Sequence, residues 1–93
     1  MKNLNLKQYL KEKLKDPEFK REWEKSEIQY QVTRQLIKAR LENNLSQRKL
    51  ARNAKTTQAV ISRIENMSVN PSLAILEKIA QALGKKLEVN FVN

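Results

Sequence analysis

The chain has no cysteine and no histidine, and only one glycine and two prolines among its 93 residues. Without cysteine there is no disulfide framework and no thiolate metal site, a usage that suits a reducing cytosol. Without histidine as well, the commonest general bases, nucleophiles and zinc ligands are missing. Apolar runs are only a few residues long, too short to span a membrane. The stretch MKNLNLKQYLKEKLKD is charged throughout and lacks the apolar core of a signal peptide. Glu12, Asp16, Glu18 and Glu22 cluster in sequence, but on lysine-rich helices they read as solvated charge. The expectation is a cytoplasmic binding protein, not an enzyme, with no catalytic residue, cofactor or metal.

The charge is +9, and it is unevenly placed. Residues 1–30 hold 8 Lys/Arg against 6 Asp/Glu, a net of +2, whereas residues 31–93 hold 11 against 4, a net of +7. A basic face alone is a weak signal, because many helical proteins carry one in solvent. It gains weight where it coincides with a motif that needs phosphates nearby.

Periodicity predicts helices almost throughout. Leu6, Tyr9, Leu10 and Leu14 recur at helical spacing. Asp16-Pro17 restarts the chain as an N-cap followed by proline at the first helical position, and Phe19 and Trp23 follow at i, i+4. Ser26-Glu27-Ile28-Gln29 fits a capping box, which places a break or kink near Ser26. The next helix runs from Ile28 to Asn43 with two apolar stripes, Val32 and Leu36 leading to Arg40, and Tyr30, Ile37 and Leu41. One core needs one stripe, so the second asks for something to cover it.

Ser46 caps a helix that turns Leu50, Ala51 and Ala54 inward. Thr56 or Thr57 caps the following one, with Ile61 and Ile64 inward. Asn70-Pro71-Ser72 turns into a last helix with Leu73, Leu76, Ile79, Ala80 and Leu83 on its apolar face, and Gly84 stands where a left-handed C′ residue is wanted. The tail alternates, with Leu87, Val89 and Phe91 on one side, and reads as a strand. A lone strand leaves its backbone groups unsatisfied, so pairing with the same strand of a second copy, in a homodimer, is expected.

Two short helices around a tight turn, the second opening with amide and small side chains, form the arrangement that sets side chains against base edges in the DNA major groove. The segments LSQRKLA (Leu45–Ala51), ISRIEN (Ile61–Asn66) and PSLAILEKIAQALG (Pro71–Gly84) resemble the lambda-repressor/Cro-like helix-turn-helix domain of the Xre type. The resemblance spans roughly Gln31 to Leu83 and implies an all-α fold. It also implies that Gln47 opens the scaffold helix near a phosphate and that Thr56–Arg63 supplies the recognition helix. Gln58, Ala59 and Arg63 would then face bases with Ser62 beside them, and Thr57, Asn66 and Asn70 would face phosphates.

Chemistry supports those roles: glutamine bonds adenine bidentately, arginine bonds guanine, and alanine meets the thymine methyl. Thr57 is also simply a helix cap, and Asn66 and Asn70 equally suit helix ends and turns. The resemblance further implies a structural ion pair between Arg40 and Glu65. Lys55 and Met67 stand where the family commonly has glycine.

The stretch DPEFKREWEKSEIQYQVTRQLIKARLENNLSQ resembles the N-terminal part of HigA-like antitoxins, helix-turn-helix partners of small RelE/HigB-like ribonuclease toxins. This implies an antitoxin that neutralises such a toxin and binds operator double-stranded DNA to repress its own operon. Residues 1–27 would be a toxin-binding arm using Leu6, Tyr9, Leu10, Leu14, Phe19 and Trp23. Residues 28–85 would be the DNA-binding domain, and residues 86–93 a dimerisation strand. Two alternatives use the same fold: a stand-alone phage-type regulator without a toxin, and a module that binds RNA or protein instead. In a third, Phe19, Trp23, Tyr30 and Ile37 only complete an intramolecular core.

Overall fold

A computed structural model describes residues 6–25 and 27–93, with side chains left out at residues 22–25 and 27. The break expected at Ser26 and the side chain of Trp23 lie outside the described residues. Six helices follow in order: α1 (Leu6–Lys13), α2 (Pro17–Lys25), α3 (Glu27–Glu42), α4 (Gln47–Asn53), α5 (Gln58–Glu65) and α6 (Leu73–Ala82).

Their starts follow from local chemistry. Asp16 Oδ1 accepts from the backbone N–H of Glu18 at 2.9 Å, ahead of Pro17 in the first turn of α2. Ser46, Thr57 and Ser72 cap α4, α5 and α6, each accepting from the amide three residues on, Lys49, Val60 and Ile75. Each cap satisfies an amide that no earlier turn could reach.

The ends repeat one device. Helices α3, α4, α5 and α6 all close with a residue in the left-handed region, Asn44 (φ 55°), Lys55 (φ 57°), Met67 (φ 59°) and Gly84 (φ 69°). In each case the next amide reaches back five residues to a carbonyl, Leu45 to Arg40, Thr56 to Ala51, Ser68 to Arg63 and Lys85 to Ala80. This is the Schellman ending, which favours glycine at the left-handed position. Lys55 and Met67 hold it at a cost of about 1–2 kcal/mol each. Met67 offsets that cost, because its side chain is buried; Lys55 is exposed and has no such return.

The main core joins α3, α4, α5 and α6 through Leu36, Ala39, Leu50, Ala51, Ala54, Ile61, Ile64, Ile79 and Leu83, with Val32, Leu45, Val60 and Ile75 packed at its edge. On α6 the apolar face differs from the sequence expectation: Leu73 is exposed, and Ile75 takes its place against the core. A first-turn residue beyond the edge of the bundle has nothing to pack on.

The second stripe of α3 is covered from within the chain. Both α1 and α2 pack on α3, and Leu10, Phe19 and the fully buried Ile37 lie outside the main core cluster. With Met67 they make a second set of buried apolar residues apart from that cluster. Tyr30 and Leu41 are half-buried.

The expected strand over 86–93 is not formed; no strand occurs among the described residues. Leu87 is half-buried and lines a groove with Val32, Leu36, Leu76 and Leu83, whereas Val89 and Phe91 stand in solvent, Phe91 completely. The physical reason is the one that made a lone strand doubtful. Among the described residues there is no second strand to take up its hydrogen bonds.

Candidate nucleic-acid interface

Helices α4 and α5 stand on either side of the four-residue turn Ala54–Thr57 and pack closely on each other. The inward face of α5 is fixed by Ile61 and Ile64 in the core and by Thr33, whose Oγ1 donates to the Ile64 carbonyl at 2.9 Å. The outward face is therefore determined as well. It presents Gln58, Ala59 and Arg63 in solvent, Ser62 half-exposed, and Asn66 exposed at the helix end. The side chains of Gln58 and Arg63 have no partner among the described residues, which leaves an amide and a guanidinium free to meet an external acceptor. Thr57 is exposed at the N-terminus of α5, where the amides point outward, and Thr56 is half-buried in the turn. These are the positions from which a helix reads base edges and phosphates.

Other expected DNA contacts are engaged inside the chain. Gln47 is half-buried, and its Nε2 donates one hydrogen bond inward to Glu65 Oε1 at 2.9 Å. The Asn66 carbonyl accepts from Lys13 of the arm, while its Nδ2 lies 3.4 Å from Ser62 Oγ. Gln29 Nε2 donates to the side-chain carbonyl of Asn70 and, at 3.1 Å, to the backbone carbonyl of Val69. In each asparagine the carbonyl is held from within.

Behind the exposed face lies a buried polar cluster centred on Glu65, which is fully buried. Arg40 Nε donates to Glu65 Oε2 at 2.6 Å and Nη2 to Oε1 at 2.9 Å, and Nη1 donates to the Leu45 carbonyl at 2.9 Å. Burial alone would lower the Arg40 pKa, but the hydrogen bonds and charge of Glu65 outweigh it and hold the guanidinium above its ordinary value. Tyr9 Oη donates to Glu65 Oε1 at 3.0 Å, and the Arg40 guanidinium lies 5.7 Å from the Tyr9 ring centre. No buried side-chain nitrogen or oxygen among the described residues lacks a hydrogen-bond partner.

The arm residues expected to meet a toxin are distributed differently from that reading. Leu10 and Phe19 are buried within the chain, and Tyr9 is tied to Glu65. Leu6 and Leu14 are half-buried, and Trp23 falls outside the description. Sequence reasoning assigned Tyr9 by its place on an apolar stripe. Its hydroxyl, the one feature distinguishing it from the leucines beside it, was the available signal for a polar partner.

The Tyr9 contact has a measurable consequence. Burial, then the charge and hydrogen bond of Glu65, push the Tyr9 hydroxyl up to about 12. A raised folded-state pKa means that the stability tied to neutral Tyr9 is whole below about 10, the unfolded tyrosine value, and is lost as pH rises toward 12. Tyrosinate absorbance should show a tyrosine titrating near 12 in the native protein, and that step should be absent in Tyr9→Phe. A single transition at the ordinary tyrosine pKa would show that the contact does not persist in solution.

A sequence profile of the helix-turn-helix family matches residues 36–90, well over half of the chain. Comparison with curated proteins and with solved structures gave no match. The matched span contains the two helices, the tight turn and the exposed face of α5 just described, together with α6, which packs against α4. The chain therefore belongs to the helix-turn-helix family and carries that family's DNA-binding domain.

Proposed function

We propose that the protein is a sequence-specific repressor that binds operator DNA as a homodimer, reads bases with Gln58, Ala59 and Arg63, and neutralises a small RelE/HigB-like toxin. The observation that carries the DNA-reading part is the outward face of α5. It holds Gln58 and Arg63 side chains exposed and without a partner among the described residues, on a helix whose opposite face is locked into the core. In a two-fold dimer the two α5 helices would meet half-sites about 34–36 Å apart.

Arg63→Ala should weaken binding to the chain's own promoter by about 1–3 kcal/mol and leave non-specific binding nearly unchanged. Gel-shift titration against promoter and scrambled duplexes measures both. An equal loss on the two duplexes would make Arg63 a phosphate contact instead of a base reader.

The dimer is supported by the tail. Val89, Phe91 and Val92 are exposed beside the groove between α3 and α6, and apolar residues left in water at an unpaired segment suit pairing with a second copy. Ending the chain at Lys85 should raise the dimer dissociation constant measured by sedimentation equilibrium. An unchanged constant would remove the tail from that role.

Toxin binding rests on the resemblance of residues 16–47 to HigA-like antitoxins. With Leu10 and Phe19 buried in the chain's own core, a toxin has two ways to bind. It can use what the arm leaves open, such as Leu6, Leu14 and the exposed Ile28, or it can displace the arm from α3. Co-expression with the neighbouring small open reading frame, followed by co-purification, separates an antitoxin from a stand-alone regulator.

A further inference from the structure

We propose that Lys13, carried by the N-terminal arm, is a phosphate-contacting residue of the DNA interface, presented beside the C-terminal end of α5. The inference rests on α5 facing DNA and adds a contact from outside the helix-turn-helix.

Position comes first. Gln58, Ser62 and Asn66 lie at i, i+4, i+8 and so form one line along the outward face of α5. The Lys13 ammonium donates to the Asn66 side chain at the end of that line. A cation held there sits at the rim of the reading face, where the duplex backbone passes as a helix lies in the major groove.

The ammonium is also held in place. It lies 5.7 Å from the Tyr9 ring centre and 5.3 Å from that of Phe19. Phe19 is buried and Tyr9 is anchored on Glu65, so both rings are fixed. A lysine stem already ordered on fixed rings gives up less freedom when it meets an anion than a solvated surface lysine does.

Its charge is incompletely answered. The ion pairs among the described residues are Lys15–Glu12 and Arg40–Glu65, and neither includes Lys13. Burial lowers the Lys13 pKa; the charge of Glu65 opposes this lowering, that of Arg40 adds to it and that of Asp16 opposes it, with the net shift downward. A half-buried ammonium without a contacting carboxylate gains from an external oxyanion. Asp16 and Glu18 lie across a hollow lined also by Asn66 and Ser68. Asp16 Oδ1 caps the start of α2 but keeps its charge, so Asp16 and Glu18 are both carboxylates that would oppose a phosphate in that hollow.

The test uses the full chain and salt titrations of binding to promoter and scrambled duplexes. The variants are Lys13→Gln, which removes the charge but can still donate to Asn66, Lys13→Met, which keeps the apolar stem, and Lys13→Arg. Loss of one phosphate contact should flatten the slope of log K against log salt by about 0.9 and weaken both duplexes about eightfold at roughly 0.1 M salt. Lys13→Arg should restore both quantities. A wild-type slope in Lys13→Gln and Lys13→Met would overturn the proposal, even with weaker binding or a lower melting temperature. Lys13 would then be only a structural counter-charge for Glu65. If Arg63→Ala still loses promoter specificity while the Lys13 variants keep the slope, the proposal fails and the α5 reading stands. A wild-type chain with no salt-dependent DNA binding overturns both.

Discussion

Glu65→Ala should destabilise the fold by about 3–5 kcal/mol, the usual cost of leaving one partner of a buried ion pair alone. The carboxylate is fully buried and accepts from Tyr9, Arg40 and Gln47. Removing it strands the Arg40 guanidinium, which is itself 5% exposed, and unties α1, α3 and α4 from the last turn of α5. Urea denaturation followed by circular dichroism measures the loss. Operator binding should fall with the folded fraction and not ahead of it, because Glu65 faces away from the outward surface of α5. Replacing both members, Arg40→Met with Glu65→Leu, should recover part of the stability, since an apolar pair is often no worse than a buried ion pair. The half-buried Tyr9 and Gln47 donors still lose their acceptor. A loss below about 1 kcal/mol in Glu65→Ala is what an exposed ion pair would give, and would show that water reaches the pair.

Ile37→Ala should cost about 2–5 kcal/mol, the range for deleting a buried isoleucine side chain. Ile37 is completely buried yet lies outside the main core cluster, on a helix against which both α1 and α2 pack. Its loss should therefore loosen the arm before the bundle. Amide exchange should quicken first in α1 and α2, with α4 and α5 protected until global unfolding. Leu36→Ala, one residue away but in the main core, should reverse that order. An Ile37→Ala variant with unchanged arm protection would show that the arm does not depend on this residue.

The two variants bear on one question, whether the arm is a separate module. The sequence divided the chain at residue 27, and the family profile begins at residue 36. The side chains cross those boundaries: Tyr9 reaches Glu65, Lys13 reaches Asn66, and Gln29 reaches Asn70. All three land on the last turn of α5 or the loop after it. A partner that pulled the arm from α3 would therefore also disturb the end of α5.

Much of the helical order was legible because its signals are local. Asp16-Pro17, Ser46, the pair Thr56-Thr57 and the turn Asn70-Pro71-Ser72 announce helix starts, and the spacing of Leu50, Ala51, Ala54, Ile61 and Ile64 gives the inward faces within a few residues of chain. The structure picks Thr57 and Ser72 as the caps. The helix ends were less legible. Gly84 declares its left-handed conformation, but Lys55 and Met67 adopt the same one without the residue that favours it. Only comparison with the family's usual glycines marked them. Along the tail, alternation was read as a strand, but alternation records which side residues share and not whether a partner strand exists.

What the sequence determined by itself was therefore the helix-turn-helix, the basic surplus around it and the side chains that face outward from α5. Periodicity and caps act over one or two turns and need no distant partner. What only the tertiary structure decided was the use of polar and apolar groups far apart in the chain. It turned Gln47 inward to Glu65, buried Leu10 and Phe19 within the chain, and set Lys13 against the end of α5. Those outcomes depend on which surfaces meet across 18 to 56 residues of chain. No local pattern encodes that meeting, because an amphipathic stripe has the same spacing whether it covers the chain's own core or waits for another protein.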